Sequence, residues 1–211
     1  PQISGGIDNY VMVNLVDYAP NSFLVYEQAY DTNGNPIDGA FVDRNEDGDI
    51  TLEDRYVFRK PAADVFYGFY TNFSYKKFDF TMSWRGSWGN YIYNNVDSNL
   101  GWQNQVLIRD TDLGNAVTNI LDTNFSSTAT ERYLSDYYIQ DASFIRLDNA
   151  TVGYTFDKFL GTKASAKISL AGQNLLLFTD YKGLDPEMPG GIDYTIYPRP
   201  RMYTLGLNVN F

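Results

Sequence analysis

Asp43-Arg-Asn-Glu-Asp-Gly-Asp-Ile-Thr-Leu-Glu-Asp54 sets oxygen-bearing residues at the spacing of a twelve-residue EF-hand calcium loop. Asp43, Asn45 and Asp47 supply side-chain oxygens at positions 1, 3 and 5, and Gly48 makes the sharp turn at 6. Asp49 offers its backbone carbonyl at 7, Ile50 is the apolar residue at 8, and Thr51 sits at 9. Asp54 stands at 12, where Glu is usual, and its shorter side chain has less reach for bidentate ligation. Hard oxygen donors in this order select Ca²⁺ over a transition metal. The same residues would also suit a solvated acidic turn, because Asn, Asp and Gly favour tight backbone geometry. Neither flank carries the periodicity of an amphipathic helix, so the expected site is an isolated loop.

What the chain lacks narrows the other chemistry. Its 211 residues include no cysteine and no histidine, and the formal net charge is −10. Disulfides, thiol chemistry and zinc thiolate sites are excluded, and so is the commonest general base. An enzyme would have to work with carboxylates alone. No Asp or Glu pair falls on facing positions at the 5–9 Å or so that a glycosidase needs. The acidic balance argues against nucleic acid, whose phosphates want a basic face. The opening Pro1-Gln-Ile-Ser-Gly-Gly has neither a basic n-region nor an apolar h-region, so no signal peptide is predicted. The chain is then either cytosolic or the tail of a longer polypeptide.

The elements that must position these residues read as strands. No apolar run approaches the length of a membrane helix, but Tyr (18) and Phe (14) are abundant and lie at alternate positions, which a transmembrane β-barrel requires. Val65, Tyr67, Phe69, Thr71, Phe73 and Tyr75 share one face of a strand. Lys76-Lys77 leaves room only for a tight turn. The return strand sets Phe78, Phe80, Met82, Trp84 and Trp88 against Asp79, Thr81, Ser83, Arg85 and Ser87. At a tilt of roughly 45° such strands span an apolar band of about 25 Å. Asp79 and Arg85 are expected to point into a lumen. Ser143 to Phe156 is a further strand whose parity changes between Leu147 and Ala150, which predicts a bulge. Ala166 to about Leu177 pairs with it, and Met202 to Phe211 alternates without a slip. Weaker strands are expected at Tyr10–Leu15 and Ser22–Tyr30, the latter turning at Asn33-Gly34 into Ile37–Val42. A short helix is expected within 113–121 of the long polar stretch 89–141. Short turns at 76–77 and 157–165 alternate with long connections at 31–64, 89–141 and 178–201. In outer-membrane barrels the short turns are periplasmic and the long loops extracellular. Five strands, or seven with the two arms of the Asn33-Gly34 hairpin, fall short of the eight a barrel needs at minimum, so a longer polypeptide or an assembly is expected.

Four stretches resemble the C-terminal part of the SusC/RagA family of TonB-dependent outer-membrane transporters. They are Val42-Asp-Arg-Asn-Glu-Asp-Gly-Asp-Ile50, Ser143-Phe-Ile-Arg-Leu-Asp-Asn-Ala-Thr-Val-Gly-Tyr-Thr-Phe156, Gly172-Gln-Asn-Leu-Leu-Leu-Phe-Thr-Asp-Tyr-Lys-Gly-Leu-Asp-Pro186 and Tyr203 to Phe211. Glu46 stands where the family usually has Gly. The resemblance implies an all-β chain forming the C-terminal strands of a 22-stranded antiparallel barrel, with the plug and N-terminal strands lying outside residues 1–211. It also implies a SusD-like lipoprotein lid, coupling to TonB, import of oligosaccharides or peptides, and recognition of Phe211 by the barrel-assembly machinery. For solute contacts, flat rings of the outer loops stand out: Trp102, Tyr133, Tyr137 and Tyr138. Packing inside the loops or against a lid is their other use. The competing function is a secreted calcium-binding β module, an adhesin or carbohydrate-binding domain, which shares the acidic balance and the calcium loop.

Overall fold

The computed structural model describes residues 2–5, 9–109, 112–126, 130–158 and 164–210. The strands in chain order are β1 (Gln2–Gly5), β2 (Asn9–Val13), β3 (Ser22–Val25), β4 (Gln28–Tyr30), β5 (Pro36–Phe41), β6 (Tyr56–Val57), β7 (Val65–Tyr75) and β8 (Phe78–Trp88). They continue with β9 (Tyr91–Tyr93), β10 (Leu107–Arg109), β11 (Asp112–Leu113), β12 (Ile139–Asp141), β13 (Phe144–Phe156), β14 (Ser165–Thr179) and β15 (Met202–Asn210). One α-helix, α1 (Asn95–Leu100), is present among the described residues. The chain divides into two compact units. One comprises residues 64–88, 143–180 and 197–211, the other 1–63, 89–142 and 181–196.

The first unit is one antiparallel sheet in the order β15-β14-β13-β8-β7, with each strand beside its chain neighbour. Register aligns the two kinds of side chain across all five strands. Phe73, Phe80, Val152, Leu170 and Leu205 form one cross-strand row, and Tyr75, Phe78, Tyr154, Ile168 and Leu207 the next. One residue out of phase, Ser74, Asp79, Gly153, Ser169 and Gly206 form a row on the opposite face. A one-residue slip would exchange the faces, so the register is strongly specified. The apolar face is open: Phe73 is 62% exposed, Leu205 76% and Leu170 50%. An exposed apolar surface of this extent marks a partner or a membrane.

The expected bulge lies where the parity changed. Register shifts between Leu147 and Asn149, leaving Asp148 outside the ladder, and opposite it Asn174 adopts a left-handed φ of 52°. The break re-aims the strand so that Ile145 and Leu147 stay on the apolar face with Trp84, Leu176 and Phe178. Trp84 stacks on Phe178 with ring centroids 6.5 Å apart. The turn at 76–77 has two residues, as expected, with Lys76 at φ 55°.

Much of the long connecting sequence folds as the second unit. β1-β2-β3-β6 form one sheet, and β4-β5, β9-β12 and β10-β11 form pairs. The expected strand Ser22–Tyr30 is interrupted at Tyr26, which bridges in parallel to Ser135. The Asn33-Gly34 hairpin is present. Asp31 Oδ1 accepts from the amides of Asn33 and Asn35, each at 2.8 Å. The helix expected within 113–121 is only a 3-10 turn at Thr118–Leu121. The α-helix lies earlier, where Asn94 caps its N-terminus by accepting from the Asp97 amide. Val11, Met12, Phe23, Val25, Tyr93, Phe125, Tyr138 and Ile192 belong to the core of this unit.

Candidate functional sites

The 43–54 loop folds on its own polar groups. Asp43 accepts from the amides of Glu46 at 2.7 Å and Gly48 at 2.8 Å, so position 1 closes the turn around position 6. Asn45 Oδ1 accepts from the Asp47 amide at 3.2 Å, and Asp47 Oδ1 from the Asp49 amide at 2.9 Å. Gly48 has φ 95°, a conformation glycine adopts without strain. Glu46 has φ 60°, which costs a residue with a Cβ roughly 1–2 kcal/mol. That is a physical reason for the glycine the resemblance leads one to expect at position 46.

Asp54 is the buried hub of the loop. Its Oδ1 accepts from the amides of Arg44 at 2.8 Å and Asn45 at 3.3 Å, and its Oδ2 from Thr51 at 2.8 Å. With Thr51 Oγ1 accepting from Glu53 N, this is a capping box on the 3-10 turn Leu52–Asp54. Asp54 therefore ties the two ends of the loop together, and both its oxygens are engaged by backbone. Among the described residues no three acidic side chains converge as a metal cage. Half-buried Asp43 and exposed Asn45, Asp47 and Asp49, the last through its carbonyl, keep spare lone pairs, which is the donor set a hard cation takes.

The amide bonds, that of Thr51 foremost, hold the Asp54 carboxyl below its ordinary range. A depressed folded-state value means the carboxylate stabilises the loop above the unfolded value, near 3.8, and that this is lost as pH falls through the folded value. Amide exchange at Arg44, Asn45 and Thr51 should stay slow at pH 5 relative to the intrinsic rate and lose protection as the pH falls through the lowered folded-state value of Asp54. Constant protection through that range would contradict the role given to Asp54.

The four aromatic candidates separate into two groups. Arg132 lies over the Trp102 ring at 4.4 Å and over the Tyr133 ring at 4.3 Å, and it also donates to the Tyr133 hydroxyl. Trp102 Nε1 donates to the Asn99 carbonyl at 2.8 Å. Both rings are half-buried and sandwich one guanidinium, a cation–π arrangement that fixes their planes. Tyr137 and Tyr138 pack edge-on against each other and around Phe125. Tyr137 donates to Asn119 Oδ1 at 2.7 Å, and burial pushes its phenol up to about 12. Tyr138 is only 2% exposed. For Tyr138 the expectation of a solute-stacking ring is corrected: it is a core residue with no face to offer, because the segment 130–138 folds inward.

That inward course is held by Gln28 and Asp136, neither of which stands out in the sequence. Gln28 is buried; its Nε2 donates to the carbonyls of Ala29, Ile37 and Ala40, and its Oε1 accepts from Ser135 Oγ at 2.7 Å. Asp136 accepts from the Gln28 amide at 3.0 Å and from the Tyr56 hydroxyl at 2.7 Å. Partners this far apart in sequence leave no local signal.

On the polar face of the sheet, Asp79 pairs with Lys167 at 2.8 Å across the intervening strand. Gly153 makes this reach feasible, since a Cβ there would lie 2.6 Å from Lys167 Cε and 2.7 Å from the Asp79 oxygens. Arg85 donates to Asp148, the bulge residue, at 2.6 Å. Both residues expected to line a lumen thus lie on the polar face and are paired. Phe211, expected to serve assembly, lies outside the described residues.

No family model matches the sequence. Among curated proteins, the TonB-dependent receptor SusC of Bacteroides thetaiotaomicron is 40% identical over the whole chain. TonB-dependent receptors P3 and P26 of Formosa agariphila are 32% and 31% identical over 85% and 83% of it. The chain spans about a fifth of the length of these relatives. Among solved structures, the RagAB peptide transporter superposes with a TM-score of 0.69 over 96% of this chain and 24% of that one, at 21% identity. RagAB in its open-open state gives 0.67 over 97% of this chain and 24% of that one, also at 21% identity. The shared fold at that identity carries the architecture: the sheet corresponds to part of a large barrel wall.

Proposed function

Because the chain belongs to the SusC/RagA family of TonB-dependent outer-membrane receptors, we propose that the protein it forms part of imports oligosaccharides or peptides across the outer membrane. In this reading a SusD-like surface lipoprotein covers the outer mouth and TonB supplies the energy. The family is one of outer-membrane β-barrels, and its members are not enzymes. The observation that supports import most directly is the 40% identity to SusC in an alignment that spans the whole chain. The two-faced sheet is consistent with it. The apolar rows would meet lipid, and Asp79, Arg85, Asp148 and Lys167 would line an aqueous lumen. A secreted calcium-binding module would instead need a second layer over the apolar face, and Phe73, Leu170 and Leu205 are open.

Tests need the full-length protein. Cells expressing it should take up labelled oligosaccharide or peptide in a TonB-dependent manner, and detergent extracts should co-purify a surface lipoprotein with it. Uptake equal in cells lacking TonB would count against the reading. Trp102 and Tyr133 are the rings this reading assigns to solute stacking, since both are half-buried and held by Arg132, whereas Tyr137, also half-buried, packs edge-on against Phe125 and Tyr138.

The 43–54 loop is assigned to Ca²⁺, with Asp43, Asn45, Asp47 and the Asp49 carbonyl as ligands and Asp54 as the buried anchor. Extracellular loop sites of this kind bind at about 10⁻⁴–10⁻³ M. Millimolar Ca²⁺ should slow proteolysis within 43–54 several-fold, and EGTA should restore it. Cleavage rates indifferent to EGTA would remove the metal from the account.

A further inference from the structure

Charge is divided unevenly between the two units. The segments 1–63, 89–142 and 181–196 carry 21 acidic and 7 basic residues; the sheet unit carries 5 acidic and 9 basic. Within the sheet unit the lysines gather at one end. The turn segments 76–77 and 157–165 hold four lysines against the single carboxylate of Asp157. Of these, Lys76, Lys77 and Lys158 are described and exposed. Lys77 pairs with Asp157 at 2.9 Å, and Lys76 Nζ lies 5.3 Å from the centre of the Tyr75 ring. Lys167 is not part of this group, being taken up by Asp79 on the polar face.

Directly behind the lysines stands a ladder of rings on the apolar face. Phe78 meets Tyr154 edge-on at 4.7 Å, and Tyr154 meets Phe156 at 4.7 Å, with Tyr75 opposite Phe78 in register. Aromatic rings settle at the level of lipid headgroups, and lysines beside them extend their ammonium groups outward from it. One carboxylate cannot neutralise this end, so a ring of aromatics is followed, one residue further on, by uncompensated positive charge.

We propose that the short-turn end of this sheet is a docking surface for anionic phospholipid headgroups, with Lys76, Lys77 and Lys158 contacting the phosphates and Tyr75, Phe78, Tyr154 and Phe156 the adjoining acyl chains. The proposal rests on the reading of the apolar face as lipid-facing. It extends that face to its edge and gives it a headgroup preference.

The full-length protein in nanodiscs of phosphatidylcholine with a tenth phosphatidylglycerol tests this, with retained lipids counted by native mass spectrometry after release. The wild type should hold phosphatidylglycerol in excess of its bulk share. The K76Q/K77Q/K158Q variant should lose about fivefold or more of that enrichment, whereas K76R/K77R/K158R should keep it. Equal enrichment in wild type and the glutamine variant would overturn the proposal. Should that variant fail to assemble, the wild type decides: enrichment that persists unchanged in 0.5 M NaCl is not electrostatic, and overturns it too. Failure of the lipid-facing reading itself looks different, since the protein would then retain lipid of neither kind.

Discussion

Leu170→Arg in the full-length protein should sharply reduce its level in the outer membrane, whereas Ser169→Arg, one residue away on the same strand, should leave it nearly unchanged. Leu170 stands in the row Phe73–Phe80–Val152–Leu170–Leu205, flanked on both sides by apolar residues, and is half exposed there. A guanidinium at the lipid midplane costs about 2–4 kcal/mol, and the neighbouring apolar rows leave it no polar partner. At Ser169 the side chain joins the row of Asp79, Gly153 and Gly206, where water and a carboxylate are at hand. Quantitative surface labelling of both variants measures the contrast. Equal losses would mean that the two faces are not lipid and lumen.

Gln28→Leu should be the most damaging polar substitution in the connecting unit, destabilising it by about 3 kcal/mol or more. The leucine fits a buried site but makes none of the bonds. The carbonyls of Ile37 and Ala40 and the hydroxyl of Ser135 then lose the partner that holds them. These bonds tie the β4–β5 hairpin to the segment that carries Tyr133, Tyr137 and Tyr138. Hydrogen exchange should therefore show joint loss of protection across 28–41 and 132–138. Loss confined to the hairpin would mean that the two segments are held by something other than Gln28.

The sheet was legible because each of its strands carries its partner's signal in its own alternation. Val65–Tyr75 and Phe78–Trp88 have the expected limits, and the parity change at Leu147–Ala150 is the bulge itself. One buried or lipid-facing side fixes such a pattern locally. The connecting unit was not legible for the converse reason. Tyr138 and Trp102 are both aromatic residues in polar sequence, and which of them is core depends on Gln28 and Asp136, a bonded pair 108 residues apart in the chain. At Asp54 the spacing of a calcium loop is present, but the shorter side chain turns inward to three amides, a choice made by backbone geometry. α1 is six residues long and rests on its Asn94 cap, too short for a periodic signal.

Alternate lipid and water access along β14 tests the central claim most directly. Single cysteines would be placed at positions 167–170 of the full-length protein, freed of any native cysteine and reconstituted in bilayers. Positions 168 and 170 should react with a thiol reagent confined to the membrane, and positions 167 and 169 with a water-soluble one. Reaction of all four with the water-soluble reagent at similar rates would show that the apolar face is not against lipid.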